Sequence, residues 1–139
     1  MKKKRMAILY YSDYENWPMG GMLNYILAIL PYLEKKYEID IWGCSVDGKK
    51  LNNIKINGNE YKIHSLGNMK TKKLIPNYLR YFWYTAINST KIEEKNYDIL
   101  YFHAAPVLYT YMKKIKKSKS LIVYHQHGLT FINRIFTRI

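Results

Sequence analysis

Three of the chain's four histidines stand where an apolar run stops. "YDILYFH" (97–103) ends in His103, and "LIVYHQHGLT" (121–130) delivers His125, Gln126 and His127 just ahead of Gly128. Imidazoles at such places bind metals, relay protons, hydrogen-bond sugars or simply pack in a core. In a strand, His125 and His127 flank one residue and so share a face, and His103 reaches them if its strand lies alongside. Zinc needs three or four ligands in closed geometry. The chain has no H-E-x-x-H, a single cysteine (Cys44) and few acids near the histidines, so no bound metal is expected. His64, inside "KIHSL", reads as a packed or surface-facing strand residue. Ser12 lacks a G-x-S-x-G elbow and has no partner at a recognised spacing, which argues against a nucleophilic triad.

The second stretch with chemical potential is "WPMGGMLNYILAIL" (17–30). Gly20 and Gly21 precede an amphipathic helix. Glycines let a backbone approach a ligand closely, and a helix start offers free N–H groups at its positive dipole end, which suits a phosphate. A tight turn explains the same pair equally well. Neither G-x-G-x-x-G nor G-x-x-x-x-G-K-[ST] occurs.

Several elements must position these residues. Continuous or alternating apolar runs predict strands over 6–12, 37–43, 61–66, 97–103 and 121–127, with a short strand at 54–56 turning through "NGN" into the third. Leu23, Ile26, Leu27, Leu30 and Leu33 predict a helix of about four turns, with Lys35 and Lys36 in its last turn. Pro31 should kink that helix or cut it short. Pro76 suits the first position of a helix with Leu79, Phe82, Trp83 and Ala86 on one face. Val107, Leu108, Tyr111, Met112 and Ile115 predict a helix over 105–117, and 131–139 reads as the start of another. Strand–helix alternation with apolar strands means an α/β, Rossmann-like fold, a parallel sheet flanked by helices, in one domain over 1–139. Ligands of such sheets bind at the carboxyl ends of the strands. Gly20, Gly21, His103 and the segment 125–128 all fall at those ends.

Charge bounds the partners. Twenty-three Lys and Arg against ten Asp and Glu give +13 over 139 residues, which favours anionic ligands or surfaces. Lys, Ile, Asn and Tyr dominate throughout, a bias that an AT-rich genome also produces. The lysines come as scattered pairs, and no zinc-finger spacing, RNP-like motif or helix-turn-helix is present, so no nucleic-acid partner is expected. "KTKKLIPNYLRYFWY" (70–84) could form an interfacial helix for an anionic membrane, but a core helix behind a basic loop is the favoured reading. The apolar run after the basic start is about six residues, short of a signal or a membrane span. A cytoplasmic location is expected, with any membrane contact at the inner face.

The order of these pieces resembles the N-terminal half of GT-B-fold glycosyltransferases, specifically the retaining enzymes of glycosyltransferase family 4. A strand leads to Gly-Gly and an amphipathic helix, "YDILYFHAAPVLYTYMKKIKK" follows, and "LIVYHQHGLTF" comes after a short basic gap. The match spans nearly the whole chain. It implies an acceptor-side Rossmann-like domain, truncated at its C-terminus, whose donor-binding C-terminal domain is absent or supplied by a separate chain, so that this chain alone is inactive. It implies transfer of a sugar from a nucleotide-sugar co-substrate to a glycan or lipid-linked acceptor in cell-surface polysaccharide or glycoconjugate synthesis, with no metal or other cofactor. By position, Gly20 and Gly21 match the loop that approaches the donor diphosphate, and His127 matches the catalytic histidine near the donor sugar. His103, Gly128 and His125 would line the acceptor side of the cleft, although His125 matches no family position with a role. Leu23 departs from the pattern, since many relatives carry Glu or Gln there. The alternative is a non-enzymatic basic α/β module that binds an anionic membrane or a partner chain.

Overall fold

The computed structural model describes residues 2–15, 20–45, 53–69 and 75–126. Its elements run β1 (Lys4–Leu9), α1 (Gly21–Leu33), β2 (Tyr37–Ser45), β3 (Ile54–Ile56), β4 (Asn59–Asn68), α2 (Asn77–Glu94), β5 (Ile99–Phe102), α3 (Ala105–Lys114) and β6 (Leu121–Tyr124). Six strands form one sheet in the order β3-β4-β2-β1-β5-β6. All pairings are parallel except β3 with β4. That hairpin turns through Asn57 and Gly58, both at positive φ (50° and 84°), as the Asn-Gly dipeptide favours. The result is a Rossmann-like α/β fold. Strand order moves from β1 outward through β2 and β4, then returns to the other side of β1 for β5 and β6. The reversal between β1 and β5 is the switch point at which such sheets open a crevice for ligands.

Alternation along the strands divides the core into two layers. Ile8, Ile39, Ile41 and Ile63 meet Leu23, Ile26 and Leu30 of α1. Leu9, Trp42, Leu66, Leu100 and Phe102 meet Ile92 of α2 and Val107 and Tyr111 of α3. Helix α1 runs two residues past Pro31 before it stops. The missing amide costs the bond to Leu27 but falls so near the end that little helix is lost. Lys35 and Lys36 follow the helix and are not in its last turn. Pro76 sits at the N-cap, one position before the expected one, and α3 ends at Lys114 because Ile115 turns extended. Strand β1 stops at Leu9, since Tyr10 and Ser12 bend across to Trp42 and Cys44 of β2.

Helix α2 reverses the expected orientation of its faces. Leu79 and Trp83, expected on its apolar face, are 45% and 66% exposed, as is Ile87 (52%) one turn on, and Ile75 just before the helix is 56% exposed. The buried face instead carries Arg80, Thr85, Asn88 and Ser89 beside Ile92. Each buried polar group is satisfied. Arg80 donates to the carbonyls of Asn68 (2.7 Å) and Met69 (3.1 Å), and Asn88 to that of Leu66 (2.9 Å). Thr85 pairs with the Tyr11 hydroxyl and the Tyr81 carbonyl, and Ser89 donates to the Thr85 carbonyl (2.6 Å). Arg80 and Asn88 thus bond backbone acceptors at and just beyond the end of β4, while Thr85 and Ser89 bond within the helix and to Tyr11.

Gly67 of β4 lies against α2. A Cβ there would stand 2.4 Å from the Tyr84 ring, which the bond from its hydroxyl to the Asn68 carbonyl (2.7 Å) holds in place. Gly67→Ala is expected to destabilise the fold by about 1–3 kcal/mol through overpacking. Gly21→Ala, which meets nothing within 4 Å, is the control. Urea unfolding of both variants checks this, and equal midpoints would refute the tight contact.

Candidate functional site at the carboxyl ends of β1, β5 and β6

Gly20 opens the site. Its φ of 114° and ψ of 147° lie where side chains are strained, so the entry into α1 requires glycine there. Gly21 is the first helical residue and has open space where a Cβ would go. Of the pair, one glycine therefore serves the backbone turn and the other leaves room. Among the described residues no side chain caps α1, and its first turn carries no acid. Leading amides at the positive dipole end of a helix suit an anion.

His103 follows β5, with its amide bonded to the Leu9 carbonyl (3.2 Å) across the switch point. His125 follows β6 in the same way, bonded to the Phe102 carbonyl (2.9 Å). The two imidazoles lie 5.8 Å apart and nearly parallel, at 19°. Sequence reasoning expected these two histidines to meet, and they do. It missed their neighbours. Tyr25, one turn into α1, has its ring 4.5 Å from His125 and 6.1 Å from His103. Tyr101, on the same strand face as His103, has its ring 4.3 Å from that imidazole and its hydroxyl 3.1 Å from His125 Nδ1. With fifteen tyrosines in the chain, residue type alone could not single these out. The usable signals were spacing: Tyr25 is four residues after Gly21, and Tyr101 two before His103.

This four-ring cluster is mostly shielded, with His103 only 2% exposed. Burial, and then the hydrogen bond with Tyr25, pushes the Tyr101 phenol well above its ordinary range. Tyr101 therefore keeps its proton. Its hydroxyl shares a hydrogen bond with His125 Nδ1, and the imidazole tautomer decides which of the two donates. The arrangement offers imidazole and phenol hydrogen bonds beside a helix start. It suits recognition of a hydroxylated ligand with an anionic group. Leu23 is sealed in the core and adds no polar group. Among the described residues, no group of three or more His, Cys, Asp or Glu side chains comes together to hold a metal. Burial pushes the Cys44 thiol up, which leaves it a poor nucleophile. His127 and Gly128, the expected catalytic histidine and its glycine, lie outside the described residues. None of the described helices is long and apolar enough to cross a membrane.

No known protein-family model and no curated protein matches this chain. The geometry of the site must therefore carry any functional reading.

Proposed function

We propose that the chain is the acceptor-side, N-terminal part of a retaining GT-B glycosyltransferase of the family 4 type. The observation that carries this reading is the His103–His125 pair at the β1/β5 switch point, joined through Tyr25 to the helix that starts behind Gly20. In the proposed reaction the bond between the sugar's anomeric carbon and the nucleotide diphosphate breaks. The anomeric carbon bonds to an acceptor hydroxyl, and the hydroxyl proton leaves with the diphosphate. The leading amides of α1 and the turn at Gly20 would face the diphosphate, where developing negative charge is best stabilised by fixed dipoles. His127 would hydrogen-bond the donor sugar, with His103 and His125 on the acceptor side. The donor-binding carboxylates would come from a second domain.

The test supplies the chain, with any donor-binding domain encoded beside it, with nucleotide-sugars and with glycan or lipid-linked acceptors. Sugar transfer is expected, and His127→Ala is expected to lower kcat by about 100-fold or more, as loss of a transition-state hydrogen bond does. Full activity in that variant would overturn the role of His127. Absence of nucleotide-sugar binding and turnover with every acceptor would overturn the family reading.

The outward apolar stripe of α2 favours a second reading, contact with an anionic membrane. Leu79, Trp83 and Ile87 recur every four residues on one exposed face of α2, and Ile75 just before the helix is exposed too, after Lys70, Lys72 and Lys73 in sequence. Apolar insertion together with basic flanks is how interfacial helices bind acidic bilayers. The two readings are compatible, because a lipid-linked acceptor would be met at such a surface.

A further inference from the structure

A second polar cluster lies on the α2 side of the sheet, away from the histidine pair. Asp40, in the middle of β2, is 7% exposed. Its Oδ2 accepts hydrogen bonds from the Tyr97 hydroxyl (2.6 Å) and His64 Nε2 (2.9 Å), and Arg5 Nη2 stands 3.5 Å away. Trp42 Nε1 donates to the Tyr97 hydroxyl at 3.2 Å, and its ring lies 4.8 Å from the His64 ring. Arg5 stacks over Tyr97 at 4.8 Å and donates to the Lys95 carbonyl (2.6 Å). Burial alone would raise the Asp40 pKa, but the bonds from His64 and Tyr97 and the Arg5 charge outweigh it and hold the carboxyl below the usual range.

An ionised Asp40 places the proton of neutral His64 on Nε2 and leaves Nδ1 as an acceptor. Nδ1 makes no hydrogen bond to the described residues. His64 borders an open cleft of about 390 Å³ between β4 and α2, whose walls also include Ser65, Asn88, Lys91, Glu94 and Lys95. That volume is within the range of small-molecule sites. Lys91, in the last turn of α2, and Lys95, its helical C-cap, are four residues apart and so share a face, where their like charges repel until an anion sits between them. Glu94 and His64 Nδ1 are acceptors, and Ser65 both donates and accepts. Two cations beside acceptors match a ligand with one anionic group and several hydroxyls. His64 and Glu94 alone are too few to hold a metal.

We propose that this cleft binds a small phosphorylated polyol, with Lys91 and Lys95 on the phosphate and with His64 Nδ1 and Glu94 accepting from its hydroxyls. Asp40 acts as a positioning residue that fixes the His64 tautomer. The site is independent of the glycosyltransferase reading, because it uses the opposite face of the sheet and none of the same side chains.

The experiment follows the imidazole resonances of the ¹⁵N-labelled chain during titration with glucose 6-phosphate, inorganic phosphate, glucose and sodium chloride. His64 is expected to show the Nε2–H tautomer and a saturable shift with glucose 6-phosphate, at least about fivefold tighter than with inorganic phosphate. The double variant Lys91→Gln, Lys95→Gln is expected to weaken that binding at least tenfold with an unchanged thermal midpoint, and His64→Gln to weaken it severalfold. No saturable shift with either phosphate, a shift reproduced by chloride at equal ionic strength, or undiminished binding in the lysine variant would overturn the site. Equal affinity for inorganic phosphate would overturn the polyol assignment.

Discussion

Asp40→Ala is expected to destabilise the fold by about 3–5 kcal/mol, the cost of removing one partner from a buried ion pair. The deletion strands three groups at once. Arg5 loses its counter-charge, His64 loses the acceptor for Nε2, and the Tyr97 hydroxyl, which accepts from Trp42, loses the carboxylate to which it donates. Asp40→Asn keeps an acceptor and most of the volume and is expected to cost less. The same carboxylate makes stability depend on acid in a definite direction. Its folded pKa lies below the ordinary value, so the folded state holds fewer protons than the unfolded state as pH falls. The stabilisation is complete above the unfolded carboxylate pKa of about 4 and is lost as pH drops through the lower folded value. Urea midpoints of the wild type and Asp40→Asn should therefore differ most above the unfolded carboxylate pKa and converge as pH falls through the lowered folded value. A change under about 1 kcal/mol on Asp40→Ala, typical of exposed pairs, would show that the network is incidental to stability.

Leu79→Glu combined with Trp83→Glu is expected to lower affinity for anionic vesicles by at least about 30-fold, with no loss of thermal stability. Burial of one large apolar side chain contributes about 1.5–3 kcal/mol, and both residues face solvent in the folded chain, so their loss removes insertion and leaves the core alone. Wild-type binding should weaken with salt, since basic residues near an acidic surface contribute about 1 kcal/mol each and are screened. Vesicle sedimentation at several salt concentrations, with neutral vesicles as the reference, measures both effects. Equal sedimentation of wild type and double variant would remove α2 from any membrane surface. So would equal binding to neutral and anionic vesicles.

The central strands were legible because they are covered on both faces. Ile8, Ile41 and Leu100 belong to nearly unbroken apolar runs, and those runs became the centre of the sheet. The Asn-Gly hairpin was legible from turn chemistry alone. Helix α2 was not, because hydrophobic periodicity assumes that the apolar stripe faces the core. Here Arg80, Asn88 and Thr85 won that face, since carbonyls at the end of β4 and the Tyr11 hydroxyl needed partners there, and no local sequence pattern announces an acceptor supplied from elsewhere in the chain. For the candidate site, the two glycines and the strand-end histidines were visible as types at positions. Tyr25 and Tyr101 were not, because their role depends on a strand order that brings β5 beside β1. His64 was read as a packed or surface-facing strand residue, and its pairing with Asp40 rests on the β2–β4 register, in which His64 sits opposite Trp42, two residues beyond Asp40.

The placement of β1 between β2 and β5 also sets a timetable for the chain as it emerges during synthesis. Residues through Asn68 suffice to assemble β1 to β4 with α1, but the other edge of β1 stays open until Ile99 arrives. At 5–20 residues per second, the thirty-odd residues between them take roughly 2–6 s. For that interval, Ala7, Ile8 and Leu9, all fully buried at the end, present an unpaired apolar edge of the kind that seeds aggregation. Nascent chains stalled between residues 69 and 98 should therefore be the ones that holdase chaperones grip most strongly, with release once β5 has docked.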